Sequence, residues 1–296
     1  MPIYGARTAK TITVGWFTLT LCSAAYTQIS SQIWNSPGSI SLSPANVALI
    51  QGDNRNARPA SADNDSAKPS ASSTESAAKG LILRSVKRGL RNQKELYAAP
   101  FHPANFKWDA LVLAGTGVLI GTDRQTSRAL PTSHLTLYRN ISNIGLGGTA
   151  VSAGGIWAYG IKKHNAQAKE TGELELETLV NTFLIYTPLQ FISGRERPGE
   201  GTGNGRFWRH AGFNTSFPSG HAMFTWSMAT VMAHEYPQSW VKWLGYAAAS
   251  SVSVGRFLSR QHYASDVFFG SVLGYAIATH LFHAYCDPQQ TEACTR

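Results

Sequence analysis

The chain has 296 residues at 32.1 kDa, is 43% hydrophobic and has a mean hydropathy of −0.16, which excludes a wholly disordered chain and a conventional polytopic transporter. Three cysteines exclude a disulfide-framework mini-protein and a Cys-rich zinc module. With 26 Lys and Arg against 17 Asp and Glu, the formal charge is +9 and the pI near 9.6, an excess suited to nucleic acid, an anionic membrane surface or a phosphorylated substrate.

Residues 1–27 read as a signal peptide or an N-terminal anchor. Arg7 and Lys10 precede an uncharged stretch carrying Val14, Trp16, Phe17, Leu19 and Leu21, and Ser23, Ala24 and Ala25 supply small residues for a cut after Ala25. Leu21 before Cys22 is too large for a lipoprotein signal. Residues 28–80 read as a disordered linker, because the Ala- and Ser-dominated run from Ala57 to Gly80 cannot bury enough apolar area to offset its ordering entropy. Residues 81–107 read as a basic amphipathic helix and a connector. Leu83, Val86 and Leu90 share one face, and Arg84, Lys87, Arg88, Arg91 and Lys94 crowd the rest. That pattern suits either anionic lipid headgroups or packing against the domain that follows.

Residues 108–286 form the expected catalytic domain, with residues 287–296 as a C-terminal tail. Apolar segments recur at about Ala110–Thr122, Ile141–Ile161, Thr178–Ser193, Ala222–Ala233, Trp243–Gly255 and Val267–Cys286. Their length and their Ala, Leu, Gly and Met content predict helices, so the fold class is all-α, a six-helix bundle. Three segments are long enough to span a bilayer, and three are short with charged edges. Six full spans after an exported N-terminus would place the loop after the third helix in the cytoplasm. A soluble or partly embedded exported bundle avoids this. Cys286 and Cys294 are placed to pair in an oxidising compartment.

Three polar clusters lie at the helix ends. Gly194-Arg195-Glu196-Arg197-Pro198 closes the third helix, and Ser216-Phe217-Pro218-Ser219-Gly220-His221 opens the fourth. The last is Gly255-Arg256, with His262 and Asp266 following. Backbone N–H groups at the start of a helix make an anion site, to which Gly220 allows close approach and Ser219 adds a hydroxyl; the alternative is a plain Ser N-cap. Arg197 and Arg256 are planar, permanently charged donors suited to phosphoryl oxygens. His262 and Asp266 are four residues apart, on one face of a helix that begins near His262. A carboxylate so placed holds one ring nitrogen protonated and leaves the other as base or nucleophile. There is no HExxH and no carboxylate cluster, and the arginines would repel a cation, so the site reads as metal-free and built around phosphate.

Arg197-Pro198, Pro218-Ser219-Gly220-His221 and Arg256-x5-His262-x3-Asp266 together resemble the three signatures of the type 2 phosphatidic acid phosphatase (PAP2) superfamily, which includes bacterial acid phosphatases and vanadium haloperoxidases. The resemblance spans roughly Trp108 to Tyr285 and implies a helical bundle. It implies that His262 attacks phosphorus to form a phosphohistidine, Asp266 orients it and His221 protonates the leaving alkoxide. Arg197, Ser219, Gly220 and Arg256 would hold the phosphoryl oxygens. Gln190 replaces the Lys that begins the first signature, so it joins the expected phosphate ligands without a charge. Its replacement by Lys is expected to raise activity. Gly255 replaces the Ser before Arg256.

Between the first two clusters, Gly199–Phe217 is Gly-rich and carries Arg206, Trp208 and Arg209, which form either a substrate lid or an exposed turn. The resulting expectation is a metal-independent phosphatase, acting on phosphorylated lipids or pyrophosphates or on small phosphomonoesters. It would be exported, and periplasmic or associated with a cell-envelope membrane or its surface. No cofactor is expected. Vanadate enters only under the haloperoxidase alternative, and a weakened phosphate- or lipid-binding protein is the other alternative. Nucleic acid is not an expected partner, since the basic residues cluster in a linker and a pocket without an aromatic reading surface.

Overall fold

The computed structural model describes residues 87–295 apart from 211, 213 and 290. The signal segment, the linker and residues 81–86 of the basic helix lie outside the described residues.

Residues 87–98 are helical (α1). Six long helices follow: α2 (Phe106–Ala129), α3 (Leu135–Lys163), α4 (Ala166–Ser193), α5 (Gly220–Glu235), α6 (Ser239–Leu258) and α7 (Ala264–Tyr285). No strand occurs among the described residues. Each apolar segment read from the sequence lies inside one of the six, except that α7 stops at Tyr285, one residue short. The helices run beyond the segments because good terminal chemistry extends them. Asp109 and Arg128 complement the dipole of α2, Lys162 and Lys163 that of α3, and Asn165 caps α4 by accepting from Ala168 N at 2.8 Å. Gly194 ends α4 at φ +48°, and a side chain there would meet His210 O at 2.7 Å.

Helix α5 is the centre of the bundle, packed against α3, α4, α6 and α7. Its closest neighbour is α7, which presents Gly270 and Gly274. A Cβ at Gly270 would stand 2.7 Å from Ser219 O, so the absence of one lets α7 lie directly on the start of α5. Trp226, Ala229, Ala249, Phe257 and Phe268 fill one core cluster, and Met223, Ile185, Ile277 and Leu281 another. Gly255 is also packed backbone to backbone, with a Cβ there falling 2.9 Å from Tyr138 O of α3.

α1 docks on α4 and α7 through polar groups. Asn92 is fully buried and donates to Glu177 Oε1 at 2.8 Å, and Gln93 donates to Asn181 Oδ1 at 2.8 Å. Arg88 pairs with Glu177 at 3.5 Å and lies over the Tyr285 ring. Pro188 inside α4 removes the N–H that would bond Leu184 O, and the Tyr97 hydroxyl donates to that carbonyl at 3.3 Å. Leu90, expected on an apolar contact face, is 67% exposed. The chain therefore packs its polar face inward here, because α4 offers unpaired polar partners. A disulfide joins Cys286 and Cys294, with Cα atoms 5.5 Å apart.

Candidate active site

The three polar clusters converge at the N-terminal end of α5. The loop before α5 is clamped from the end of α4. Ser193 Oγ donates to Phe217 O at 2.6 Å, and Gln190 Nε2 donates to Pro218 O at 2.9 Å. Gln190 Oε1 accepts from Thr215 N at 2.9 Å and from the Thr215 hydroxyl at 3.1 Å. Gln190 is fully buried. Both ends of its amide thus hold the loop in place, a role that its place in the first signature does not imply.

His262 lies in the turn between α6 and α7, ahead of the first residue of α7, so it does not share a helical turn with Asp266. Its Nδ1 is 2.6 Å from Ser216 O, an acceptor only, so Nδ1 carries the proton and Nε2 holds the free lone pair. The nearest Asp266 oxygen is 3.9 Å away, beyond a hydrogen bond. Asp266 therefore acts at one remove. It accepts from Ser216 Oγ at 2.6 Å and from Tyr263 N at 2.8 Å, which fixes the residue whose carbonyl holds His262 and caps α7.

Behind Asp266 is a charge network that no spacing in the sequence disclosed. Arg195, 1% exposed, pairs with Asp266 at 2.5 Å and with Asp123 of α2 at 2.8 Å. It also donates to Ser265 Oγ at 2.7 Å and Gly205 O at 3.1 Å, and its guanidinium lies between the Phe207 and Tyr263 rings. Burial opposes its charge, but Asp266 and Asp123 outweigh that and raise its pKa. Asp266 is pushed up to about 6 by burial, against the pull of Arg195 and Ser216. It is therefore ionised at neutral pH.

On the open side stand the groups suited to an oxyanion. Ser219 makes no capping bond, so the hydroxyl does not close the end of α5 and its first-turn N–H groups stay available. Ser219 Oγ, Arg197 Nε and Arg256 Nε are all buried without a hydrogen-bond partner among the described residues. Arg197 spends its terminal nitrogens on Asn214 Oδ1 at 2.6 Å and Gln261 Oε1 at 3.3 Å. Asn143 of α3 accepts from His221 Nε2 at 3.0 Å and from Arg256 Nη1 at 3.4 Å. Burial, together with Arg197 and Arg139, lowers Arg256 to about 10, still charged at neutral pH. Burial and then Arg256 and Arg197 pull His221 down to about 4 and His262 well below the usual imidazole range. Both histidines are neutral in the absence of a bound anion.

Tyr186, one turn before Gln190 on α4, is the remaining neighbour. A Cβ at Gly220 would meet its hydroxyl at 3.0 Å, and the charges of Arg197 and Arg256 act on it. Neither Asn143 nor Tyr186 carries a signal in the sequence. Arg206, Trp208 and Arg209 are exposed, and no hydrogen bond or ion pair joins them to the histidines. Their loop is pinned to the end of α4 by Trp208 N to Ser193 O at 2.9 Å and Arg209 N to Gly194 O at 2.8 Å. Glu196 N donates to Arg206 O at 3.0 Å.

An all-α bundle here gathers two arginines, an uncapped helix start and two neutral histidines, an arrangement suited to an oxyanion. The family model described as the PAP2 superfamily matches residues 176–288, which makes that stretch, from the middle of α4 through α7, a PAP2 superfamily domain. It contains all three polar clusters, as their order had suggested. At the coarse level the match supports a phosphoester hydrolase. No curated protein and no solved structure matches the chain.

Proposed function

We propose that the protein is an exported, metal-independent phosphatase that works through a phosphohistidine on His262 and takes phosphorylated lipids at a membrane surface. The observation that carries this reading is the set of three buried, unpartnered donors, Ser219 Oγ, Arg197 Nε and Arg256 Nε, grouped with His221 and His262. Left unpaired, such groups are costly, and a tetrahedral oxyanion satisfies them together.

His262 Nε2 attacks phosphorus as the bond to the leaving oxygen breaks. His221, protonated, passes its proton to that oxygen. A water then loses a proton to His221 and attacks phosphorus, releasing inorganic phosphate and restoring His262. Arg197, Arg256, Ser219 and the N–H groups from Gly220 onward hold the phosphoryl oxygens, where developing charge is largest. Asp266 and Arg195 keep Ser216, and through it the His262 tautomer, in place.

Support for a lipid substrate comes from the outside of the bundle. Leu113, Val118, Ile144, Val151, Ile192 and Trp243 are each more than half exposed, apolar side chains that a lipid surface would cover. Export is supported by the N-terminal segment and by the Cys286–Cys294 disulfide.

The test is phosphate release from soluble and lipid phosphates in EDTA, beside His262→Ala. Turnover that survives EDTA and falls about a thousandfold or more in the variant is expected. Loss of activity in EDTA, or a variant that keeps it, would overturn the proposal.

A further inference from the structure

A cavity of about 1050 Å³ lies between α3, α4, α5 and α6, and neither His221 nor His262 lines it. Gly148 and Gly155 of α3 help to line it, and a Cβ at either would meet open space. Its walls are mostly apolar, with Met228 and Met232 of α5 and Val241 and Leu244 of α6. Tyr159, Tyr236 and Trp240 bring three aromatic rings to it. Neither Lys nor Arg is among the lining residues.

Into this wall α4 projects Glu175. Its side chain is 1% exposed, and neither carboxyl oxygen has a hydrogen-bond partner among the described residues. Nothing in the proposed phosphatase mechanism uses it. A bundle that keeps an acid in such a place strongly disfavours its charged form. The cavity lacks the opposite charge that would offset this, and a ligand can bring it.

We propose that this cavity binds a small apolar amine, with the ammonium group paired to Glu175 and the alkyl body among Met228, Met232 and Leu244. Two features select an amine over a neutral amphiphile. The first is charge: a buried acid without a base gains most from a cation, through a charge-assisted hydrogen bond. The second is the ring set, since aromatic faces attract an ammonium group and an alcohol gains nothing comparable. Burial pushes the Glu175 carboxyl up to about 8, so the empty cavity holds a neutral acid near neutral pH and ionises when a cation arrives. Tyr236 is close enough that Glu235 and Glu175 add to the effect of burial in raising its own pKa.

Octylammonium and octan-1-ol, equal in length and differing in charge, are suitable probes for isothermal titration against the full chain. Octylammonium is expected to bind about tenfold more tightly than octan-1-ol. Glu175→Gln should remove most of that preference, leaving only the part due to the rings, while phosphate release stays unchanged. Gly148→Phe, which fills open space, should weaken both ligands together. Equal affinities in the unmodified protein would overturn the proposal, as would an amine preference undiminished by Glu175→Gln. So would displacement of octylammonium by octyl phosphate with the same affinity in the Gln variant, since the cavity would then belong to a substrate chain. His262→Ala is expected to bind octylammonium unchanged, so this site and the phosphatase reading fail separately.

Discussion

Burial and the charges of Arg256 and Arg197 hold His221 at about 4, yet protonation of a leaving alkoxide requires its imidazolium form. The substrate resolves the conflict. A phosphate group placed against the two arginines cancels the charges that depress His221, so its affinity for a proton rises when the site is filled. The sign follows directly. The active form is protonated, so activity falls as pH rises through the pKa, and that pKa is lower in the free enzyme than in the complex. The profile of kcat/KM reports the free enzyme and that of kcat the complex. The alkaline limb of kcat/KM should therefore lie at lower pH than the alkaline limb of kcat, with steady-state kinetics across the acid range as the check. Coincident limbs would mean that His221 does not supply the proton.

Gln190 shows how one side chain couples two elements. It bonds the end of α4 to the loop that opens α5, through Pro218 O and both donors of Thr215. A Lys at this position has no acceptor, so Gln190→Lys would leave Thr215 N unsatisfied in the interior and bury an ammonium group. The substitution is expected to lower stability by about 1–3 kcal/mol and to slow phosphate release. Denaturant midpoints and initial rates check both. A faster variant of undiminished stability would return Gln190 to the phosphate ligands. The resemblance alone led to the opposite expectation, since it fixes where the residue falls in the chain but not which way its amide turns. The helices were legible from the sequence because each apolar segment was too long for a strand. The order of the three polar clusters likewise placed Arg197, Ser219, His221, Arg256 and His262 at helix ends. Arg195 was visible in the first polar cluster, though not its pairing with Asp123 and Asp266; Asp123, Asn143 and Tyr186 were not legible as parts of the site. They reach it by packing of α2, α3 and α4 around α5, which leaves no fixed spacing. The docking of α1 by Asn92 and Gln93 was hidden for the same reason: its partners, Glu177 and Asn181, lie on another helix.

Across the whole molecule, polarity is partly inverted. Glu170, Glu175 and Glu235 are buried, while Val118, Ile144, Val151 and Trp243 face outward. The outer surface suits contact with lipid, and the inner acids give the bundle a pH-dependent stability of definite sign. Burial raises Glu175 from 4.5 to about 8 in the folded chain. Between those values the folded state binds more protons than the unfolded state, so its stabilising contribution is complete below about 4.5 and is lost as pH rises toward about 8. At neutral pH the loss amounts to about 3 kcal/mol. Burial and the neighbouring Glu170 raise Glu235 to about 8 as well, so Glu175 and Glu235 both cost the unmodified protein stability as pH rises over this window. Glu175→Gln removes one of them. Denaturation in urea at about pH 5 and about pH 7.5 should show the variant gaining on the unmodified protein as pH rises. Parallel stability curves would mean that Glu175 ionises in the folded chain as it does in water. A saturating concentration of octylammonium should flatten the slope of the unmodified protein in the same direction, because a cation in the cavity lets Glu175 ionise without unfolding the bundle.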